Sequence, residues 1–354
     1  MSFFYKTRSY LGVDLGTASI KIVELENRAG TPTLLTYGFA ELPVDEIKFD
    51  VHETVARTAK TVAKICAESH TKSRKVIAAL PTFSVFSSVI TLPVMNEKEV
   101  GQALTYEAKK IIPLPIEEMV LDWKILKDKV GAPASNKKDK TMRVLLTAAP
   151  RTLVKKYQDI FQAANLELLS LETEAFALER SLLGSDPAVT LLLDVGALTT
   201  DLVIVEDHVP ILNRSIDVGG VTATKAIAQS LNVNEHRAEQ FKRDVGMISG
   251  GAGSGGVGKV IENTFSPIIN EIKYALSLYR VESTSPLEKI ILTGGSAWLP
   301  NLSDYLATLF QVKVIIGDPW AAVSYPTDIK GVLQELGPRF GTAVGLAMRE
   351  IKSS

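Results

Sequence analysis

Asp14-Leu-Gly-Thr-Ala-Ser-Ile-Lys-Ile-Val-Glu-Leu-Glu26 is matched, without gaps, by a second stretch of the same chain, Asp194-Val-Gly-Ala-Leu-Thr-Thr-Asp-Leu-Val-Ile-Val-Glu206. In each copy an apolar run (Tyr10 to Val13; Thr190 to Leu193) leads into Asp-x-Gly, then small or hydroxyl residues, then a second apolar run. The pattern predicts strand, tight turn, strand. Glycine lets such a turn take backbone angles closed to other residues and lets a ligand approach the main chain. Turn N–H groups and hydroxyls suit phosphate oxygens, and an aspartate at a strand end suits a hydrated Mg2+. Two such hairpins facing each other would hold a nucleotide tail from both sides.

With 354 residues the chain is long enough for two or more lobes. Its formal net charge of -1 offers no broad basic field for nucleic acid or an acidic membrane. Cys66 is the only cysteine, which excludes an intrachain disulfide and a cysteine metal cluster and fits a cytosolic, reducing compartment. The opening Met-Ser-Phe-Phe-Tyr-Lys-Thr-Arg lacks the apolar core of a signal peptide. No apolar run approaches the roughly 20 residues that span a bilayer, so membrane association is expected only indirectly.

Three strands are predicted at the start, around Tyr10–Asp14, Ile20–Leu25 and Leu34–Ala40, and then a helix with Asp50 and Glu53 as a capping pair. Val55, Ala59, Val62, Ala63 and Cys66 give that helix its expected apolar stripe. Strands at Lys75–Leu80 and Val85–Leu92, a helix from Asn96 to Ile112, and strands at Val120–Leu126 and Met142–Ala149 follow. The run 127–140 reads as a solvated loop. Further helices (Thr152–Ala164, Thr173–Leu183) flank a strand at Leu166–Leu171. After the second hairpin come helices at Val221–Leu231, Glu235–Val245 and Val260–Tyr279, a buried strand Lys289–Leu292, and a last helix, Phe340–Glu350. The expected division is residues 1–80 and 142–187 for a first lobe, 81–141 for an inserted α+β unit, and 188–335 for a second lobe with a small part at about 222–285. Residues 336–354 would form a final helix returning to the first lobe. Two βββαβα halves suggest related α/β lobes with a ligand between them.

These motifs resemble, in order, those of the actin-like ATPase superfamily. Gly12-Val-Asp14-Leu-Gly16-Thr-Ala-Ser-Ile-Lys21 resembles its first phosphate loop, Leu193-Asp194-Val-Gly196-Ala-Leu-Thr-Thr-Asp201 its second, and Leu292-Thr-Gly294-Gly295-Ser296-Ala-Trp-Leu-Pro300 its adenosine motif. Within the superfamily the chain is most similar to the FtsA-like branch, and there to the PilM family of type IV pilus assembly proteins. The aromatic-basic opening, the insertion between Leu80 and Thr147, Ser215-Ile-Asp-Val-Gly219-Gly220-Val-Thr, and Ala238-Glu239-Gln-Phe-Lys242 carry that similarity. The resemblance implies a two-lobed actin-like (duplicated ribonuclease H-like) ATPase fold with an inserted subdomain 1C of SHS2 type. The chain stops at Ser354, just after the last fold helix, so an FtsA-style terminal membrane helix is expected to be absent.

The resemblance also implies roles for single residues. Asp14 and Asp194 would hold Mg2+ through water. Lys21 would neutralise β- or γ-phosphate oxygens; its position in the second copy is held by Asp201. Gly16, Thr17, Ser19, Gly196, Thr199 and Thr200 would meet phosphate, and Glu174 would orient the attacking water or act as base. Gly219, Gly220, Gly294, Gly295 and Ser296 would bring backbone against the nucleotide, with Glu239 and Lys242 at the ribose and base. Hydrolysis is expected to be slow or partner-dependent at most. Gly253-Ser-Gly-Gly-Val-Gly-Lys259 imitates a P-loop but has Val260 where Ser or Thr is needed, and reads as a surface loop. Trp298, beside the adenosine motif, is expected in the core or, as the alternative, as a wall of the pocket.

The implied function is that of a cytoplasmic, ATP-binding adaptor, peripheral to the inner membrane through its partners. It would dock the N-terminal cytoplasmic peptide of PilN and connect to the pilus motor ATPases and platform protein. Self-association is compatible with the fold. Other readings are an FtsA-like division filament protein and a small-molecule kinase; a type II secretion component would carry a fused transmembrane helix.

Overall fold

In the computed structural model both copies of the repeated pattern form antiparallel hairpins in the same register. β1 (Ser9–Leu15) pairs with β2 (Ser19–Arg28), placing Asp14 opposite Lys21. Residues 8–42, 51–126, 141–247, 256–283 and 285–351 are described. β3 (Thr31–Glu41) adds to β2, α1 (Val51–Glu68) covers the sheet, and β4 (Lys75–Leu80) runs parallel to β1. The chain then passes a 3-10 turn, Thr82–Ser84, and enters a small layer of β5 (Phe86–Pro93), α2 (Glu97–Ile111), β6 (Met119–Ile125) and β7 (Thr141–Pro150). It returns through α3 (Arg151–Ala163), β8 (Glu167–Thr173) and α4 (Glu174–Leu182).

The second half repeats the plan. β9 (Thr190–Val195) and β10 (Thr200–Glu206) form the hairpin, with Asp194 opposite Asp201, and β11 (Val209–Ile216) adds to β10. Helices α5 (Gly220–Leu231), α6 (Glu235–Val245) and α7 (Val257–Glu282) follow. Then come β12 (Lys289–Thr293), α8 (Leu302–Phe310), β13 (Lys313–Ile316), α9 (Lys330–Leu336), a 3-10 turn at Gly337–Phe340, and α10 (Gly341–Met348). Strand order is β3-β2-β1-β4-β8 in one sheet and β11-β10-β9-β12-β13 in the other, so equivalent strands hold equivalent places. Central strands such as β9 are apolar on both faces because helices cover both sides.

Several expectations are refined. β7 is the middle strand of the third sheet, β5-β7-β6, and its Val144, Leu146 and Ala148 pack with Leu104 and Ala108 of α2. The small layer therefore reaches Pro150, and a boundary at residue 141 cuts through its sheet. On α1 the buried positions include Ala59, Val62 and Ile65; Ala63 faces solvent, one residue position off the stripe. Asn96 and Glu99 do form a capping box on α2, whereas Asp50, Glu53's side chain and the run 127–140 lie outside what is described. α8, β13 and α9 are additional elements. Trp298 is 55 % exposed, its indole N–H donating to the Glu335 carbonyl, rather than buried in the core.

Two helices tie the halves together by backbone contact. A Cβ on Gly345 of α10 would lie 1.8 Å from the Ala177 carbonyl oxygen of α4, and one on Gly12 of β1 would lie 2.0 Å from that of Ala343. Arg180 and Ser181 of α4 donate to the Gly345 and Gly341 carbonyls. Gly345→Ala is expected to lower stability by about 1–3 kcal/mol, the usual penalty of overpacking. Gly295→Ala, with nothing within 4 Å of the added carbon, should leave the unfolding midpoint unchanged. Urea titrations of both variants test this, and equal stabilities would mean that the helix contact relaxes freely.

Candidate functional site

The two hairpins are equal in register and unequal in charge. In the first, Lys21 Nζ lies 2.9 Å from Asp14 Oδ2, and Asp14 is buried. In the second, the same cross-strand position sets one carboxylate, Asp201, beside another, Asp194. Burial and then the neighbouring charge of Asp201 push the Asp194 carboxyl up to about 7; Lys21 opposes this and Asp14 adds to it. Burial likewise pushes Asp201 up to about 6, against the Ser215 hydroxyl. Its Oδ1 is buried without a hydrogen-bond partner.

Glu174 opens α4 and joins this group. Burial, then Asp201, then Asp14 hold its carboxyl well above the ordinary range, while Thr82 opposes them by donating its N–H and hydroxyl to Oε2, both at 2.8 Å. Four carboxyls thus gather around one ammonium. Asp201 and Thr82 were not among the expected site residues. Asp201 carried a signal, its place opposite Asp194, but Thr82 is 92 residues from Glu174 and only the fold brings it there.

The remaining expected residues fall into two sets. Gly16 and Gly196 sit at the hairpin turns, where an added Cβ would meet the carbonyls of Ser19 and Thr199 at 2.9 Å. Ser19 is buried beside the first turn; Thr17 and Thr199 are half-buried on the turns. Thr200 is fully buried, and its hydroxyl donates to the Val218 carbonyl, so it holds the β11–α5 connection rather than facing a ligand. The N–H groups of Gly220 and Val221 donate to the carbonyls of Gly196 and Ala197, tying the start of α5 to the second turn. Gly219 lies in the same contact, with no room for a side chain against Ala197.

The adenosine-like motif docks on this group. Gly294 has φ +86°, and a Cβ there would lie 2.2 Å from Asp194 Oδ1. The Ser296 N–H donates to the Val195 carbonyl, and Gly295 is exposed with open space before it. Lys242 is buried, and its ammonium reaches the Gly220 carbonyl (3.0 Å), Thr224 Oγ1 (3.0 Å) and Glu239 Oε2 (2.6 Å). All three of its protons have acceptors inside the protein. Burial alone would raise the Glu239 carboxyl, but Lys242, Thr224 and Arg243 hold it below its usual range. This is an internal strut under α5, not a surface ion pair.

Among the described residues no three His, Cys, Asp or Glu side chains converge as a metal cage. The donor set nevertheless fits Mg2+, a hard cation that binds through one or two carboxylates and keeps water or phosphate in its other positions. The unpartnered Asp201 oxygen and the raised carboxyls mark a place that a cation would relieve. Residues 253–255 of the P-loop-like stretch lie outside what is described; at its end Lys259 pairs with Glu262 on α7.

The sequence profile described as type IV pilus assembly protein PilM matches residues 12–351. The chain belongs to the PilM family. Among solved structures, a PilM-PilN type IV pilus biogenesis complex is similar over 97% of this chain and 98% of that one, with 29% identity and a TM-score of 0.81. MreB5 of Spiroplasma citri bound to AMPPNP is 15% identical, covers 98% of this chain and 96% of that one at a TM-score of 0.56, and shows the fold alone. The cell division protein FtsA of Enterococcus hirae is 24% identical over 87% of this chain and 78% of its own length. The actin-like fold and PilM-family membership expected from the motifs are both found, with FtsA a more distant relative. Among the described residues no helix is long and apolar enough to cross a membrane.

The raised Asp194 carboxyl gives a pH prediction. A carboxyl with a higher pKa folded than unfolded stabilises the fold at low pH and loses that contribution as pH rises through its folded value. Stability should therefore fall between about pH 4, the unfolded value, and about 7. In metal-free, nucleotide-free buffer, Asp194→Asn should raise the melting temperature at pH 8 and change it little at pH 4. A variant equally or less stable at pH 8 would contradict the electrostatic account.

Proposed function

We propose that this PilM-family chain binds Mg-ATP between its hairpins and works as the nucleotide-loaded adaptor of a type IV pilus inner-membrane assembly complex. On this reading it docks the N-terminal cytoplasmic peptide of PilN. It stands on the cytoplasmic side of the inner membrane, held there by partners, and links PilN to the pilus motor ATPases and platform protein. The single observation that carries the reading is the near full-length similarity to the PilM-PilN complex. The nucleotide part is supported by the paired hairpins and the open backbone at Gly295, together with a fold neighbour described as bound to AMPPNP.

Asp14 and Asp194 would hold the hydrated Mg2+, Lys21 would face the terminal phosphates, and Gly294, Gly295 and Ser296 would lie against the adenosine. Mg2+ would supply charge neutralisation of the phosphates. Lys21 and Asp14 are already paired at 2.9 Å, so removing Lys21 leaves the buried Asp14 carboxylate without its cation, and removing Asp14 takes away the partner that orients Lys21. Asp14→Asn and Lys21→Met are expected to weaken Mg-ATP binding at least tenfold while the circular dichroism spectrum is kept. Undiminished affinity in both would sink the site assignment.

The partner reading is tested separately. A synthetic N-terminal PilN peptide should bind the chain in calorimetry, and a pull-down from detergent-solubilised membranes should recover a small single-pass protein. Recovery of the division ring protein instead would move the weight to the FtsA-like reading.

A further inference from the structure

The turn that leads from β4 into the small layer reaches the candidate site directly. Thr82 is buried and gives both its N–H and its hydroxyl to one oxygen of Glu174, Oε2. A carboxylate oxygen has two in-plane lone pairs, and both on Oε2 are then occupied. A proton binding this carboxyl is directed to Oε1, which receives no hydrogen bond from any described residue.

We propose that Thr82 is the positioning residue of Glu174: it anchors the Oε2 edge and presents Oε1 to the water that attacks the terminal phosphate, so that the turn into the small layer governs hydrolysis. In that step Oε1 takes the water's proton, the water oxygen bonds to the γ-phosphorus as its bond to the β–γ bridging oxygen breaks, and ADP and inorganic phosphate leave. This rests on the ATP reading given above. The location favours such control. The Thr82–Ser84 turn is continuous with β5 of the small layer, and it packs against β11, the edge strand of the second sheet. Both lobes and the layer therefore meet at the residue that grips Glu174, and a displacement of the layer is transmitted to the carboxyl through two hydrogen bonds.

The surroundings make the grip consequential. The titratable groups acting on Glu174 are Asp201 on β10 and Asp14 on β1, with the Tyr157 phenol of α3 also within its field. None of the three brings a positive charge. The two Thr82 hydrogen bonds are thus the favourable interactions that the ionised carboxyl has with its neighbours.

The test follows the Glu174 carboxyl by 13C NMR in the full chain, with Glu174→Gln identifying the resonance. Thr82→Val removes the hydroxyl and keeps the N–H and the side-chain shape; Thr82→Ser restores the hydroxyl. The titration midpoint should rise by about one pH unit in Thr82→Val and return in Thr82→Ser. At pH values below both midpoints ATP turnover should fall about tenfold in Thr82→Val, its pH profile shifting with the midpoint. ATP affinity should be unchanged. An unmoved midpoint in a folded Thr82→Val chain overturns the proposal, as does lost turnover with an unshifted profile. A wild-type chain that binds no ATP defeats the nucleotide reading instead, and the midpoint still decides whether Thr82 controls Glu174.

Discussion

Two helices meet at a contact that leaves no room for a side chain. α4 carries the chain from the first half to the second, and α10 brings it back. They meet where Gly345 faces the Ala177 carbonyl, and α10 in turn rests on Gly12 of β1. Arg180 and Ser181 then satisfy α10 carbonyls from the α4 side. The starts of both helices reach the candidate site: Glu174 opens α4, and Gly341 at the start of α10 touches Thr293, next to Gly294. The helix crossing therefore braces the two hairpins against each other.

What the hairpins then set up is an imbalance of charge. Identical backbone geometry places Lys21 against Asp14 in one and Asp201 against Asp194 in the other. A cluster of buried and half-buried carboxyls with one ammonium is unfavourable by itself, because desolvation and like charge both disfavour ionisation. It makes sense for a ligand that arrives with its own cation. Under the proposed function Mg2+ would play that part.

Most of the fold was legible because the hairpin pattern occurs twice and because alternating or continuous apolar runs mark the strands. The superfamily followed from three motifs in order, and the family from the aromatic-basic opening, the insertion after Leu80, the Gly219-Gly220 turn and Ala238-Glu239-Gln-Phe-Lys242. Other features were illegible for identifiable reasons. Ala63 and Ile65 flank the α1 stripe on opposite sides, and which flank is buried is decided by what packs against it, not by spacing. β7 follows residues that read as a loop, so its pairing with β5 and β6 could only come from tertiary register. Lys242 read as a contact for ribose or base, yet its protons are consumed by Gly220, Thr224 and Glu239. Hydrogen-bond saturation leaves no trace in spacing. The same holds for Thr82, whose role exists only across 92 residues of intervening chain.

The small layer occurs in one half only. Where β4 and β8 are separated by that layer and α3, their counterparts β12 and β13 are separated by α8 alone. The layer leaves and rejoins the lobe at neighbouring points, since Phe86 pairs with Ala148 in the sheet register. Closing such a junction adds little chain-entropy cost however long the inserted segment is. The scaffold can thus carry a layer of another length or shape at that seam, presenting a different surface while the hairpins and the crossing helices stay as they are.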